Sequence, residues 1–186
     1  MNSKNKKKVL LTKPFVHENL EFKNALLEYA RQLKKNPKDN FESQLISAVL
    51  YAQLAEYMAS FLLESLRHLV YDITYSFSQA FAFIDTRNRV GVSLDRIIEG
   101  LKEFSFSDKP DILSLLIEVK DARNDLFHNL VSKSQEDLKE IGEDIITIQE
   151  KTEVIIQKLN VVIPGLQNVF YPANLNNNQP EADKTK

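Results

Sequence analysis

Residues 41–70 read FESQLISAVLYAQLAEYMASFLLESLRHLV, and neither glycine nor proline occurs from Phe41 to Phe83. Leu45, Ala48, Val49, Ala52, Ala55, Ala59, Leu62, Leu63, Leu66 and Val70 recur at three- and four-residue steps, which places them along one side of an α-helix. The stretch predicts one very long helix, or two in line, and the rest of the fold has to pack around it. Within it, Ala48, Ala52, Ala55 and Ala59 make a row of small side chains along which another helix can approach closely.

Toward the N-terminus, Glu18 to Lys35 predicts a first helix with Leu20, Ala25, Leu26, Leu27, Ala30 and Leu33 on its apolar side. Asn36, Pro37, Lys38 and Asp39 end it, because proline pushes the residue before it out of helical angles. Toward the C-terminus, Asp85 to Gly91 is a polar turn. Ser93 can then cap a short helix faced by Leu94, Ile97, Ile98 and Leu101 and weakened near its end by Gly100. Ser105 to Pro110 supplies an N-cap and an early proline for a helix running to Val131.

Ser134 to Asp137 resembles a capping box, and Leu138, Ile141, Ile145, Ile148, Thr152, Ile155 and Leu159 follow in a three-four alternation broken only by Thr152. In a chain this rich in helix the alternation reads as the packing edge of a bundle rather than as an extended coiled coil. Pro164 and Gly165 are expected to stop this last helix. No internal repeat and no strand-like alternation is evident. The fold class is therefore all-α: a bundle of about five helices with an up-and-down core. Residues 1–14 form a basic, flexible arm, 15–163 a single helical domain, and 164–186 an irregular, mostly disordered tail.

At 186 residues, 43% hydrophobic and 27% charged, the chain has the composition of one globular domain with a real core. It contains no cysteine, which excludes disulfides, zinc-thiolate sites, iron–sulfur clusters and a thiol nucleophile. The lysines at positions 4 and 6–8 precede only Val9, Leu10 and Leu11 before Lys13 and Pro14, too short an apolar run for a secretion signal. Glu56, Glu64, Arg67 and Asp72 interrupt the apolar stretches, so a cytoplasmic protein without a membrane partner is expected. A net charge of −2 gives no global footprint for nucleic acid, and the lysine-rich start reads as a solvated tail or a local arm.

The chemically suggestive residues lie near the end of the helix that begins after Ser105. At 100° per residue, Ile112, Leu115, Leu116, Val119, Ala122, Leu126 and Leu130 form one apolar stripe. Leu113, Ile117, Asn124, Phe127, His128 and Val131 form a second. Ser114, Glu118, Asp121, Asp125 and Asn129 occupy the narrow polar side. A helix with two apolar faces is either central in its own bundle or buries the second face against a partner. Asn124 and His128 are four apart and adjacent on that second face. Arg123 lies about 140° around from His128, within reach only of a long side chain. A guanidinium fork suits a phosphate, and a histidine exchanges protons near neutrality, so the three supply parts for phosphodiester cleavage without a metal. The same residues admit a purely structural role, with Arg123 favoured near a helix C-terminus and paired to Asp121 or Asp125.

The surrounding sequence, LLIEVKDARNDLFHN at 115–129 in an all-helical chain, resembles the HEPN superfamily, whose signature is Arg, usually followed by Asn, with His shortly after. The segment from Gly91 to Ile98 is similar to the glycine-and-leucine segment preceding the motif helix in many of those proteins, and the resemblance spans about residues 40 to 160. It implies a helical bundle that dimerises with both motifs at the interface and cuts RNA without metal. Arg123, Asn124 and His128 would be the catalytic residues. His128 would act as general base or acid, Arg123 would stabilise the charge on phosphorus, and Asn124 would orient one of them. A toxin or phage-defence role, restrained by an antitoxin or regulatory partner, follows from the same resemblance. The alternative is a non-catalytic HEPN-like interaction or regulatory module.

Arg87, Arg89 and Arg96 cluster around the turn before the short helix and are secondary candidates for RNA backbone contacts, a solvated loop being the plainer reading. Arg67 and His68, beside Glu64 and Asp72, read as intrahelical ion-pairing residues. His17 and Glu18 have no partner at metal-ligand spacing, so neither a metal site nor a cofactor is expected.

Overall fold

The computed structural model describes residues 17–35, 41–77, 93–132 and 138–170, and among these every regular element is an α-helix. There are five: α1 (His17–Lys35), α2 (Phe41–Phe77), α3 (Leu94–Lys102), α4 (Lys109–Ser132) and α5 (Leu138–Phe170). The expected N-terminal arm, the polar turn carrying Arg87 and Arg89, the capping box at 134–137 and the tail beyond Phe170 lie outside the described residues. The run opening at Phe41 is a single helix of 37 residues.

Two local expectations are revised. Pro164 and Gly165 do not stop α5, which continues through both to Phe170. Both residues are exposed, as is Asn160, whose carbonyl loses its partner, while Val162 and Ile163 stay buried and hold the helix to the core. The 164–186 boundary of the expected tail therefore falls inside a helix. Gly100 is a packing residue rather than a weak point: a Cβ there would sit 2.8 Å from Leu63 Cδ2, and Leu63 is itself buried. Its missing side chain lets α3 lie close on α2.

Ser93 does occupy the N-cap of α3 with extended backbone, yet its hydroxyl makes no capping bond; its carbonyl accepts from Ile97 N at 3.1 Å. At the start of α4, Asp108 takes a left-handed φ of 57° and its carbonyl accepts from Ile112 N at 2.9 Å. Aspartate tolerates that conformation better than most residues. The Lys109 ammonium then caps α3 by donating to the carbonyls of Lys102 (2.7 Å) and Phe104 (2.6 Å).

Side-chain contacts fix the helix directions. Ser47 on α2 donates to the Ala30 carbonyl and Gln44 to that of Leu33, so α1 and α2 are antiparallel. Lys158 meets Asp111, Lys151 meets Glu118, and Asn129 meets Asp144, so α4 and α5 are antiparallel too. Gln149 bonds Gln44, and Glu153 bonds Tyr51, so α5 runs with α2. The result is up-down-up-down through α1, α2, α4 and α5, with α3 packed on α2 and α4.

The alanine row of α2 is wholly buried at this junction, as are Ile112, Leu116, Val119, Ala122 and Leu126 of α4 and Ile141, Ile145, Ile148, Ile155 and Leu159 of α5. Leu115 is only half-buried and Leu130 lies at the surface, so the core stripe of α4 is narrower than expected. By length and composition the segment Phe41–Val70 could cross a membrane despite its interrupting charges. In the bundle it is the central helix, half buried by the other four.

A polar ladder ties α1, α2 and α5 together. Arg31 donates to both carboxylate oxygens of Glu153 (2.8 and 2.7 Å), and the buried Tyr51 hydroxyl donates to the same carboxylate. Below it, Gln149 donates to Ser47 Oγ and Gln44 Oε1. The Arg31 guanidinium holds the Glu153 carboxyl below its ordinary value, aided by Tyr51 and opposed by burial. A depressed carboxyl contributes stability above its unfolded value and loses it as pH falls through the folded one. Wild type should accordingly lose stability as pH drops below about 4. The Glu153→Gln variant should lack that component and show a flatter acid limb in urea midpoints from neutral pH to about 3.

Thr152, the residue that breaks the α5 alternation, is buried with its hydroxyl unpartnered. A buried hydroxyl without a partner is costly, so Thr152→Val should raise unfolding free energy by about 1 kcal/mol, measurable by chemical denaturation.

Candidate functional site

The second stripe of α4 divides along its length. Near the N-terminus Leu113 and Ile117 pack against the core. In the last two turns Phe127 and Val131 of this stripe are exposed at 47% and 90%, as is Leu130 at the edge of the core stripe at 36%, while Leu126 stays buried. Asn124 and His128 are exposed in the same turns. The end of α4 thus exposes both apolar and hydrogen-bonding side chains.

Arg123 is placed differently. It is half-buried and turned toward α2, where its Nη1 donates to Glu56 Oε2 at 2.7 Å. Neither neighbouring aspartate takes the arginine: Asp121 pairs with Lys120, which also reaches Asp95 on α3. Glu56 stands in the middle of the apolar α2 stretch, a position where a carboxylate needs a partner from another element. That requirement was the one available signal for the pair; the identity of the partner, 67 residues away, was not.

Beside the ion pair lies a cleft of about 220 Å³. Ala48, Val49, Ala52 and Gln53 of α2 form one wall, Arg123, Leu126 and Phe127 of α4 the other, and Ile148 of α5 lies between them. The small residues of α2 that allow close helix approach also create this depth. Gln53, Glu56 and the cleft are components that reading the sequence did not single out. The structure therefore joins Arg123 to Glu56 and the cleft, and it leaves Asn124 and His128 one turn apart on the open surface.

Of the secondary candidates, Arg96 is exposed on α3, while Arg87 and Arg89 lie outside the described residues. Arg67 reaches α3, its Nη2 3.3 Å from where a Cβ on Gly100 would stand, and His68 is exposed. Among the described residues no three His, Asp or Glu side chains converge as a metal-holding group. No family model, curated protein or solved structure matches the chain.

Proposed function

We propose that the protein is a metal-independent endoribonuclease of HEPN type, cytoplasmic, with a composite site formed where the ends of two α4 helices meet in a homodimer. The observation that carries this reading is the position of the motif. Asn124 and His128 are exposed on the same stripe of α4 as Val131, which is 90% exposed, so the second apolar face ends in solvent where a partner can cover it. Pairing two copies through it would bring both histidines and the edges of both arginines to one cleft.

In that cleft His128 takes the proton of a ribose 2′-hydroxyl, the 2′-oxygen bonds to phosphorus, and the bond to the 5′-oxygen breaks. The leaving oxygen is protonated by a histidine, and the products are a 2′,3′-cyclic phosphate and a 5′-hydroxyl. Arg123 has donors beyond the Nη1 engaged with Glu56, and these can bind the phosphate oxygens as charge accumulates. The 2′-hydroxyl makes RNA the substrate and excludes DNA. A toxin or phage-defence effector, held in check by an antitoxin or regulatory protein, is the biological role that fits such an activity.

The test is incubation of the purified wild type with RNA and with DNA of the same sequence, in excess chelator. RNA fragments ending in cyclic phosphate, with DNA intact, are expected; intact RNA at every protein concentration would end the nuclease reading. A second reading is favoured by the Glu56 pair itself. An arginine already satisfied within its own chain can be structural, and the protein then serves as a helical interaction or regulatory module.

A further inference from the structure

The cleft beside Arg123 has a composition that core packing alone does not call for. Its floor is apolar and tightly held, with Ala48, Ala52 and Ile148 all buried, while its rim carries a guanidinium, a carboxamide and an aromatic ring. We propose that it is a nucleobase subsite, taking one unpaired base of an RNA strand against Phe127 with the adjoining phosphate at Arg123. This rests on the ribonuclease reading above and adds to it the element that selects the substrate.

Three properties point to a base. The volume of about 220 Å³ falls below the roughly 300–1,000 Å³ of pockets for drug-sized ligands, which suits a single planar ring system and no more. Phe127 lines the cleft while remaining 47% exposed, so its aromatic side chain is accessible to a stacking base. Gln53, one turn before Glu56 on α2, is exposed at the rim and offers a donor and an acceptor side by side. Adenine presents the matching acceptor and donor on its N7 and N6 edge, so it is the base expected to bind best.

Glu56 sharpens the requirement. Its carboxylate neutralises the Arg123 charge at 2.7 Å, which leaves the arginine donors directed but weakens any attraction for a bare anion. A phosphate is then held well only when a base beside it is stacked in the cleft. An apolar side chain from a second copy would fill the floor equally, but it would cover Arg123 and Gln53 without satisfying them.

The chain has no tryptophan, so Phe127→Trp places a single tryptophan, excitable apart from the tyrosines, at the cleft. Adenosine 5′-monophosphate, which contains no bond for the enzyme to cut, should quench it saturably, and ribose 5-phosphate should not. Adding Gln53→Ala should weaken the nucleotide by about tenfold or more. Calorimetric titration of the nucleotide into unmodified protein gives the same answer if the tryptophan variant folds poorly. Absence of binding by both methods, or equal binding of ribose 5-phosphate, overturns the subsite. RNA cleavage by a protein that ignores the nucleotide leaves the nuclease standing and removes the subsite. Nucleotide binding without cleavage does the reverse.

Discussion

A His128→Ala variant is expected to cleave RNA about 10²–10⁴-fold more slowly than wild type, the usual contribution of a positioned general acid or base. Its thermal midpoint should move less than that of Arg123→Ala, because the side chain is exposed on the last turns of α4, where substitutions usually change stability by about 0.5 kcal/mol. Arg123→Ala is predicted to differ in kind. It removes the phosphate ligand and also leaves the half-buried Glu56 carboxylate without its cation, so activity and stability should fall together. Adding Glu56→Gln to Arg123→Ala removes the orphaned charge, and it should restore the midpoint without restoring cleavage. RNA cleavage by His128→Ala at the wild-type rate would take His128 out of the chemistry. Recovery of activity in the double variant would make Arg123 a structural residue only.

The two arginine effects were hidden from one-dimensional reading for a simple reason. The helices are legible because 3.6-residue periodicity is local: the α2 stretch, the Leu94 to Leu101 face and the Ile141 to Leu159 alternation each carry their own signal. Helix ends are less so. Proline at 164 reads as a stop because it removes one hydrogen bond, but Val162 and Ile163 just before it are buried in the core, and tertiary packing outweighs the local loss. Gly100 reads as a weak helix former, yet its value lies in Leu63 across the helix pair. The site divides in the same way. The spacing of Arg123, Asn124 and His128 is visible in the chain, and so is the second stripe that carries two of them outward. Glu56 and the cleft exist only because α2 and α4 pack side by side, and no periodicity announces a partner on a different helix.

That same packing makes two residues five positions apart on α4 opposite in consequence. Leu126 is 1% exposed and lies in the wall of the cleft, between the core of α4 and the small residues of α2. Leu126→Ala should lower unfolding free energy by about 2–5 kcal/mol, read from urea denaturation. The lost transfer energy is compounded by a cavity that the buried alanines opposite cannot fill. Val131 is 90% exposed, so Val131→Asp should lower the unfolding free energy of the monomer by no more than about 1 kcal/mol, the cost of an anion in the last helical turn. If the end of α4 is where two copies meet, the aspartate places a charge in an apolar contact, and twice over by symmetry, because a two-fold interface repeats every substitution. Sedimentation velocity should then show a wild-type dimer and a Val131→Asp monomer. RNA cleavage should fall with the dimer even though Arg123, Asn124 and His128 are all intact. A Val131→Asp protein that remains dimeric would place the contact elsewhere. One that is monomeric and still fully active would show that each copy carries a complete site, with the exposed end of α4 serving another purpose.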